Sequence, residues 1–141
     1  MAESKIIIEL TNSLTELDRL NKALKRFGRT NGFAPKCLME INLAIDEIFT
    51  NIVSYGFADL QEHRIVIFLS CTEERITIRI TDDGCSFDPI KAGKPDTCCP
   101  LAQRKVGGLG IHIAKRIMDS IVYTRKGGEN ILTMEKVRCT Q

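Results

Sequence analysis

Apolar positions along the chain switch between two spacings, and each switch marks an element. Residues 5–10 form a β-branched run that predicts a first strand. Leu14, Leu17, Leu20, Leu24 and Phe27 then recur every three or four positions, the period of an amphipathic helix, which ends near Gly28. After a loop over residues 30–34, Pro35 suits the first turn of a second helix. Its stripe of Leu38, Ile41, Ile45, Ile48 and Ile52 stops near Gly56. Residues 63–70 and 75–81 read as two strands joined by a short turn. In the second, Ile76, Ile78 and Ile80 alternate with Thr77, Arg79 and Thr81, so one face is buried and the other more polar.

Residues 89–106 lose all periodicity and carry Pro89, Gly93, Pro95 and Pro100 among Lys91, Lys94, Arg104 and Lys105. So long an aperiodic stretch within a compact domain is usually functional or disordered, and a lid over an active site is the natural candidate. Gly107-Gly108-Leu109-Gly110 opens a third helix, through about residue 119, with Ile113, Ile117 and Ile121 facing inward. Residues 120–125 and 130–137 make a last hairpin around Lys126-Gly127-Gly128-Glu129, where two glycines fit a tight turn. The order β-α-α-β-β-lid-α-β-β, with short turns between successive strands, predicts an α+β two-layer sandwich. Its mixed, mainly antiparallel sheet carries the helices on one face, in a single domain over residues 1–141.

Composition narrows the partners. The chain has 141 residues, 43% hydrophobic and 27% charged, long enough for a sizeable core. Its 20 basic and 18 acidic residues leave a formal net charge of +2, too weak a field to imply nucleic acid. Trp is absent and aromatics are few, which also argues against a base-stacking surface. No stretch reads as a signal peptide or membrane span, so a cytoplasmic protein is expected, without direct nucleic-acid or membrane contact. In that compartment the six cysteines are expected to be reduced thiols rather than metal ligands, and no CxxC pair occurs. A redox role for the adjacent Cys98 and Cys99 stays open.

Three short segments carry candidate chemistry. Glu47 and Asn51 stand four apart and stack on one helix face, with Tyr55 continuing the line. Carboxylate and amide oxygens are hard donors suited to Mg²⁺, although a solvated acidic face explains the pair as simply. Asp82-Asp83-Gly84 follows a strand directly; a carboxylate there can accept from an exocyclic amine, yet Asp-Gly is also an ordinary turn dipeptide. Gly107-Gly108-Leu109-Gly110 can bring helix N-terminal N–H groups against phosphate, or can be merely a loop. The Rossmann spacing and the P-loop Gly-Lys-Ser/Thr are both missing. His112 reads as a packing or partly exposed histidine, and two histidines without recognisable partners give no support to a catalytic triad.

Taken in this order, the segments resemble the GHKL ATPase superfamily, which includes histidine kinases and gyrase B. Within it they are most similar to the bacterial anti-sigma factors that act as serine/threonine-protein kinases in stress response and sporulation. Leu43-Ala44-Ile45-Asp46-Glu47-Ile48-Phe49-Thr50-Asn51 looks like the N box. Asp82-Asp83-Gly84-Cys85-Ser86-Phe87-Asp88 looks like the first glycine box, and Gly107-Gly108-Leu109-Gly110-Ile111 like the second. Met118-Asp119 and the tail from Gly127 to Met134 fit as well, so the likeness spans nearly the whole chain. Ser86 stands where many members have a second glycine, as in the anti-sigma branch.

The resemblance implies a Bergerat fold and these roles. Asn51 would coordinate Mg²⁺ and Glu47 would be the general base. Asp82 would take the adenine amino group, with Gly84 beneath the base and Thr133 assisting through water. Phe87 and Gly107 would line the nucleotide site, Gly108, Leu109 and Gly110 would hold the phosphates, and residues 89–106 would be the ATP lid. The implied activity is phosphorylation of a STAS-domain anti-anti-sigma protein by Mg·ATP, together with sequestration of a sigma factor, in a chain that resembles homodimeric proteins. A nucleotide-dependent binding switch with little catalysis is the alternative, and a scaffold with vestigial motifs a third.

Overall fold

The computed structural model describes residues 3–86 and 109–138, with the side chains of residues 109–112 left aside. Strand β1 (Ser4–Thr11) is followed by a 3-10 turn (Leu14–Glu16) and helix α1 (Leu17–Thr30); α2 (Pro35–Tyr55), β2 (Arg64–Cys71) and β3 (Arg75–Asp82) come next. Helix α3 (Leu109–Ile117) and the hairpin β4 (Ser120–Lys126) and β5 (Glu129–Val137) complete the described chain. The strands form one sheet in the order β1-β2-β3-β5-β4. Every neighbouring pair is antiparallel, so the expected α+β sandwich stands and its sheet contains no parallel pair among the described strands.

Period-two burial shapes the sheet. Ile65, Ile67 and Leu69 on β2 and Ile76, Ile78 and Ile80 on β3 are at most 1% exposed, because alternate side chains all point toward the helices. Each such side chain stabilises the fold by about 1.5–3 kcal/mol relative to an exposed one. The helices answer with Leu20, Leu24 and Phe27 from α1, Ile41, Ala44, Ile45, Ile48 and Phe49 from α2, and Ala114 from α3. The opposite sheet face is left partly open: Ile7 and Val122 are exposed, and the Arg79 guanidinium covers the Phe68 ring.

Boundaries moved for identifiable reasons. Leu14 is exposed and belongs to the 3-10 turn, because Ser13 caps that turn by accepting from Thr15 N–H before α1 begins. Helix α1 runs past Gly28 to Thr30, where the Asn31 side chain bonds back to the Phe27 carbonyl at 2.8 Å. A side chain at Gly28 would collide with Leu38, so glycine there marks the close crossing of α1 and α2 rather than the helix end. The last hairpin turns on Gly127 and Gly128 alone, both at positive φ, so both strands reach one residue further into the turn than expected.

Candidate nucleotide site

Helix α2 carries Glu47 and Asn51 beside its buried stripe, and both are half-buried. Consecutive helix positions differ by about 100° around the axis, so Asp46 and Glu47 face different neighbours. Asp46 is engaged by the Asn21 side chain of α1; burial lifts its carboxyl to about 6, against the Asn21 hydrogen bond, with the Glu47 charge adding to the rise. Its Oδ1 is buried without a hydrogen bond, as are Asn21 Oδ1 and Asn42 Oδ1. Asp46 is therefore committed to the α1–α2 interface, while Glu47 lies one residue further around the helix. The two adjacent acids, indistinguishable by spacing, are separated by this contact.

One turn beyond Asn51, α2 ends at Gly56, and here it meets the turn that follows β3. Cys85 N–H donates to the Gly56 carbonyl at 2.7 Å. A Cβ on Gly84 would run into that same carbonyl oxygen and into Asp82 Oδ1. Glycine at position 84 is thus demanded by the protein's own backbone, before any ligand is considered. The contact joins the Glu47–Asn51 helix to the Asp82 turn, as the sequence reading requires of a shared site.

Asp82 closes β3 and is only 5% exposed. Its Oδ1 accepts from Gly84 N–H at 2.8 Å and from Asn130 Nδ2 at 3.0 Å. Among the described residues none donates to Oδ2, the oxygen that can accept from an amine. Burial raises the Asp82 carboxyl above its ordinary value, opposed by the Asn130 and Gly84 hydrogen bonds; the Asp83 charge adds to the rise and Arg125 opposes it.

Asn130 reaches Asp82 because β5 pairs with β3 in the register Asp82↔Asn130. It also donates to the Cys85 carbonyl at 2.9 Å, while its own Oδ1 accepts from Tyr123 O–H at 2.5 Å and Arg125 at 3.1 Å. Arg125 donates in turn to the Gly84 carbonyl at 2.7 Å. Asn130, Arg125 and Tyr123 were not anticipated. A polar Asn beginning a strand was visible, but only the register shows that it faces the aspartate.

That register also moves Thr133 away from its expected place. Thr133 pairs with Arg79, three positions along β5 from Asn130, and odd spacing sends it to the opposite sheet face. The structure does not bring it to Asp82. Leu109 and Gly110 open α3, and this helix packs against α2. Phe87, Gly107, Gly108 and the segment 89–106 lie outside the described residues, as does the His112 side chain. Cys37 and Cys71 are buried and outside any disulfide, whereas Cys85 is disulfide-bonded, against the expectation of reduced thiols throughout. Cysteine spacing does not determine connectivity, so this bond is not legible from sequence.

Half-buried carboxylate and amide oxygens on one helix face, and a buried carboxylate with one oxygen unengaged among the described residues, form a set of oxygens that suits Mg²⁺ and an adenine amine. No described helix is long and apolar enough to cross a membrane.

Comparison with known proteins agrees with this geometry. The model of the histidine kinase-like ATPase domain family matches residues 10–136. The serine/threonine-protein kinase BtrW of Bordetella bronchiseptica is 25% identical over 134 residues, covering 95% of this chain and 94% of that protein. The serine-protein kinase RsbW of Bacillus cereus is 29% identical over 114 residues, 78% of this chain and 71% of that one. Its counterpart in Listeria monocytogenes is 25% identical over 107 residues, 72% and 68% of the two chains. Among solved structures, the RsbU and RsbW domains of Rv1364c from Mycobacterium tuberculosis superpose with a TM-score of 0.67 at 15% identity. The match covers 97% of this chain and 33% of that one, and establishes likeness of fold.

Proposed function

This chain belongs to the histidine kinase-like ATPase domain family, and from that premise we propose that it is an ATP-dependent protein serine/threonine kinase of the anti-sigma type. Its acceptor would be a STAS-domain anti-anti-sigma protein, and in the unphosphorylated cycle it would sequester a sigma factor in the cytoplasm, as a homodimer. The kinase names of its relatives support the activity. The observation that carries the site is the 2.7 Å bond from Cys85 N–H to the Gly56 carbonyl, which joins the helix of Glu47 and Asn51 to the turn of Asp82.

Asp82 orients the base by accepting from its amino group, and the Asn130 and Gly84 bonds on Oδ1 hold the carboxylate still for that purpose. A buried acceptor that would otherwise lack a donor discriminates strongly for a base bearing an amine. Gly84 lies beneath the base. Gly107, Gly108, Leu109 and Gly110 would hold the phosphates with backbone N–H groups. In this reading Phe87 would line the nucleotide site and the segment 89–106 would serve as the ATP lid. Asn51 would hold Mg²⁺, whose contribution is to neutralise charge on the phosphates. Glu47 accepts the proton of the attacking hydroxyl.

The test is to incubate the protein with Mg·ATP and STAS-domain proteins from the same organism and to look for phosphoserine or phosphothreonine on each. Transfer to one of them supports the kinase reading. Tight nucleotide binding with sigma-factor capture but no transfer would replace it with a binding switch.

A further inference from the structure

The α2–β2 loop touches the Asp82 turn at a second point. His63 is fixed through its backbone, donating to Asn12 Oδ1 at 2.8 Å and accepting from Asn12 N–H at 3.0 Å. Its ring lies on the Phe57 ring, centroids 4.3 Å apart and planes inclined by 15°. The side chain is 17% exposed. Both ring nitrogens face carboxylates: Nε2 is 2.7 Å from Asp59 Oδ1 and Nδ1 is 3.0 Å from Asp83 Oδ1.

A neutral imidazole has one N–H and could satisfy only one of these acceptors, setting a lone pair against the other. Only the imidazolium donates to both, so the geometry itself selects the protonated ring. Among the described residues, Asp59 from the loop and Asp83 from the turn are the charges acting on it, and Asn12 and Phe57 are uncharged.

We propose that His63 is a positioning residue for the nucleotide site: clamped as imidazolium between Asp59 and Asp83, it holds the Asp82–Gly84 turn against the loop that leaves α2. The clamp has two effects on Asp82. It fixes the residue next to Asp82 from the side opposite Asn130. It also neutralises Asp83, whose charge otherwise disfavours an ionised Asp82. The inference rests on the assignment of Asp82 to the adenine. The Asp59 bond, and with it Asp83, raises the His63 pKa above its ordinary value of 6.5. The clamp is therefore complete below about that value and is lost as pH rises through the raised one. Nucleotide affinity falls over the same interval.

The experiment is a calorimetric titration with ADP from pH 5.5 to 9, about the range in which histidines titrate, on the wild type and on His63→Gln. A parallel NMR titration follows the His63 ring with and without saturating ADP. The wild type should lose about fivefold or more in affinity across the range, while His63→Gln binds more weakly and shows only the nucleotide's own titration. Reciprocity requires ADP to raise the His63 pKa by the matching amount. If His63→Gln does not fold, Asp59→Asn, a change at an exposed position, should lower the midpoint of the affinity profile. Wild-type and variant profiles of the same shape, or a ring titration indifferent to ADP, would overturn the proposal. Absence of ADP binding to the wild type at every pH would instead overturn the nucleotide-site assignment on which it rests.

Discussion

Asp82 at the end of β3 and Asn130 near the start of β5 face each other across the sheet, the Asn130 amide donating to Asp82 Oδ1 at 3.0 Å. Both side chains are buried, and the bond fixes which carboxylate oxygen remains for a ligand. Asn130→Ala removes the donor to Asp82 and to the Cys85 carbonyl at once. Leaving such acceptors unpaired costs about 1–3 kcal/mol. Calorimetry with ADP should show affinity reduced about tenfold or more, and chemical denaturation a matching loss of stability.

Gly84 is hemmed in by the Gly56 carbonyl on one side and the Asp82 carboxylate on another. In Gly84→Ala the new Cβ meets the Gly56 carbonyl oxygen, which cannot swing aside as a side chain could. The turn must separate from α2, breaking the Cys85–Gly56 bond. A loss of about 2–4 kcal/mol in unfolding free energy is expected, as for other strained backbone sites. A stable Gly84→Ala protein with unchanged nucleotide affinity would show that the contact is not maintained in solution.

Glu47 separates binding from chemistry. Glu47→Gln keeps the size and the hydrogen-bonding capacity of the side chain but cannot take up a proton. Nucleotide affinity should stay within about twofold, while phosphotransfer to the STAS acceptor falls about 10²–10⁴-fold, the usual contribution of a general base. Single-turnover kinetics with the same acceptor measures it.

Asp46 gives a pH signature of its own. Its carboxyl rises from 3.8 to about 6 on folding, so the protonated form is favoured in the native state. The stability this supplies is complete below 3.8 and is lost as pH rises through about 6. Asp46→Asn should therefore be more stable than the wild type at pH 8 by about 1 kcal/mol, after allowance for solvent screening. The difference should vanish toward pH 4, about the unfolded carboxyl value. Urea denaturation at both pH values tests it.

The elements themselves were legible in the sequence because periodicity reports burial directly. The isoleucines of β3 and the stripe of α2 were each read from spacing alone, and the Gly-Gly turn from the demand for positive φ. The placement of Glu47 and Asn51 on one helix and of Asp82 at a strand end was likewise legible, because an i,i+4 pair and a strand-end acid are local features. What escaped was non-local. Spacing along β5 does not state its register against β3, so the pairing of Asp82 with Asn130 rather than Thr133 could not be read from the sequence. Gly84 was attributed to a ligand, although the Gly56 carbonyl already requires it. His63 passed unnoticed because its two carboxylates come from different elements, brought together only by the folded chain.

The most direct test of the central claim is a titration of wild type and Asp82→Asn with ADP in the presence of Mg²⁺, with circular dichroism to verify that both are folded. The account predicts saturable binding by the wild type and a loss of about 100-fold or more in the variant, since an amide can present its NH₂ group to the adenine amine that the carboxylate accepts. Equal affinity in the two proteins, or no binding by the folded wild type, would contradict it.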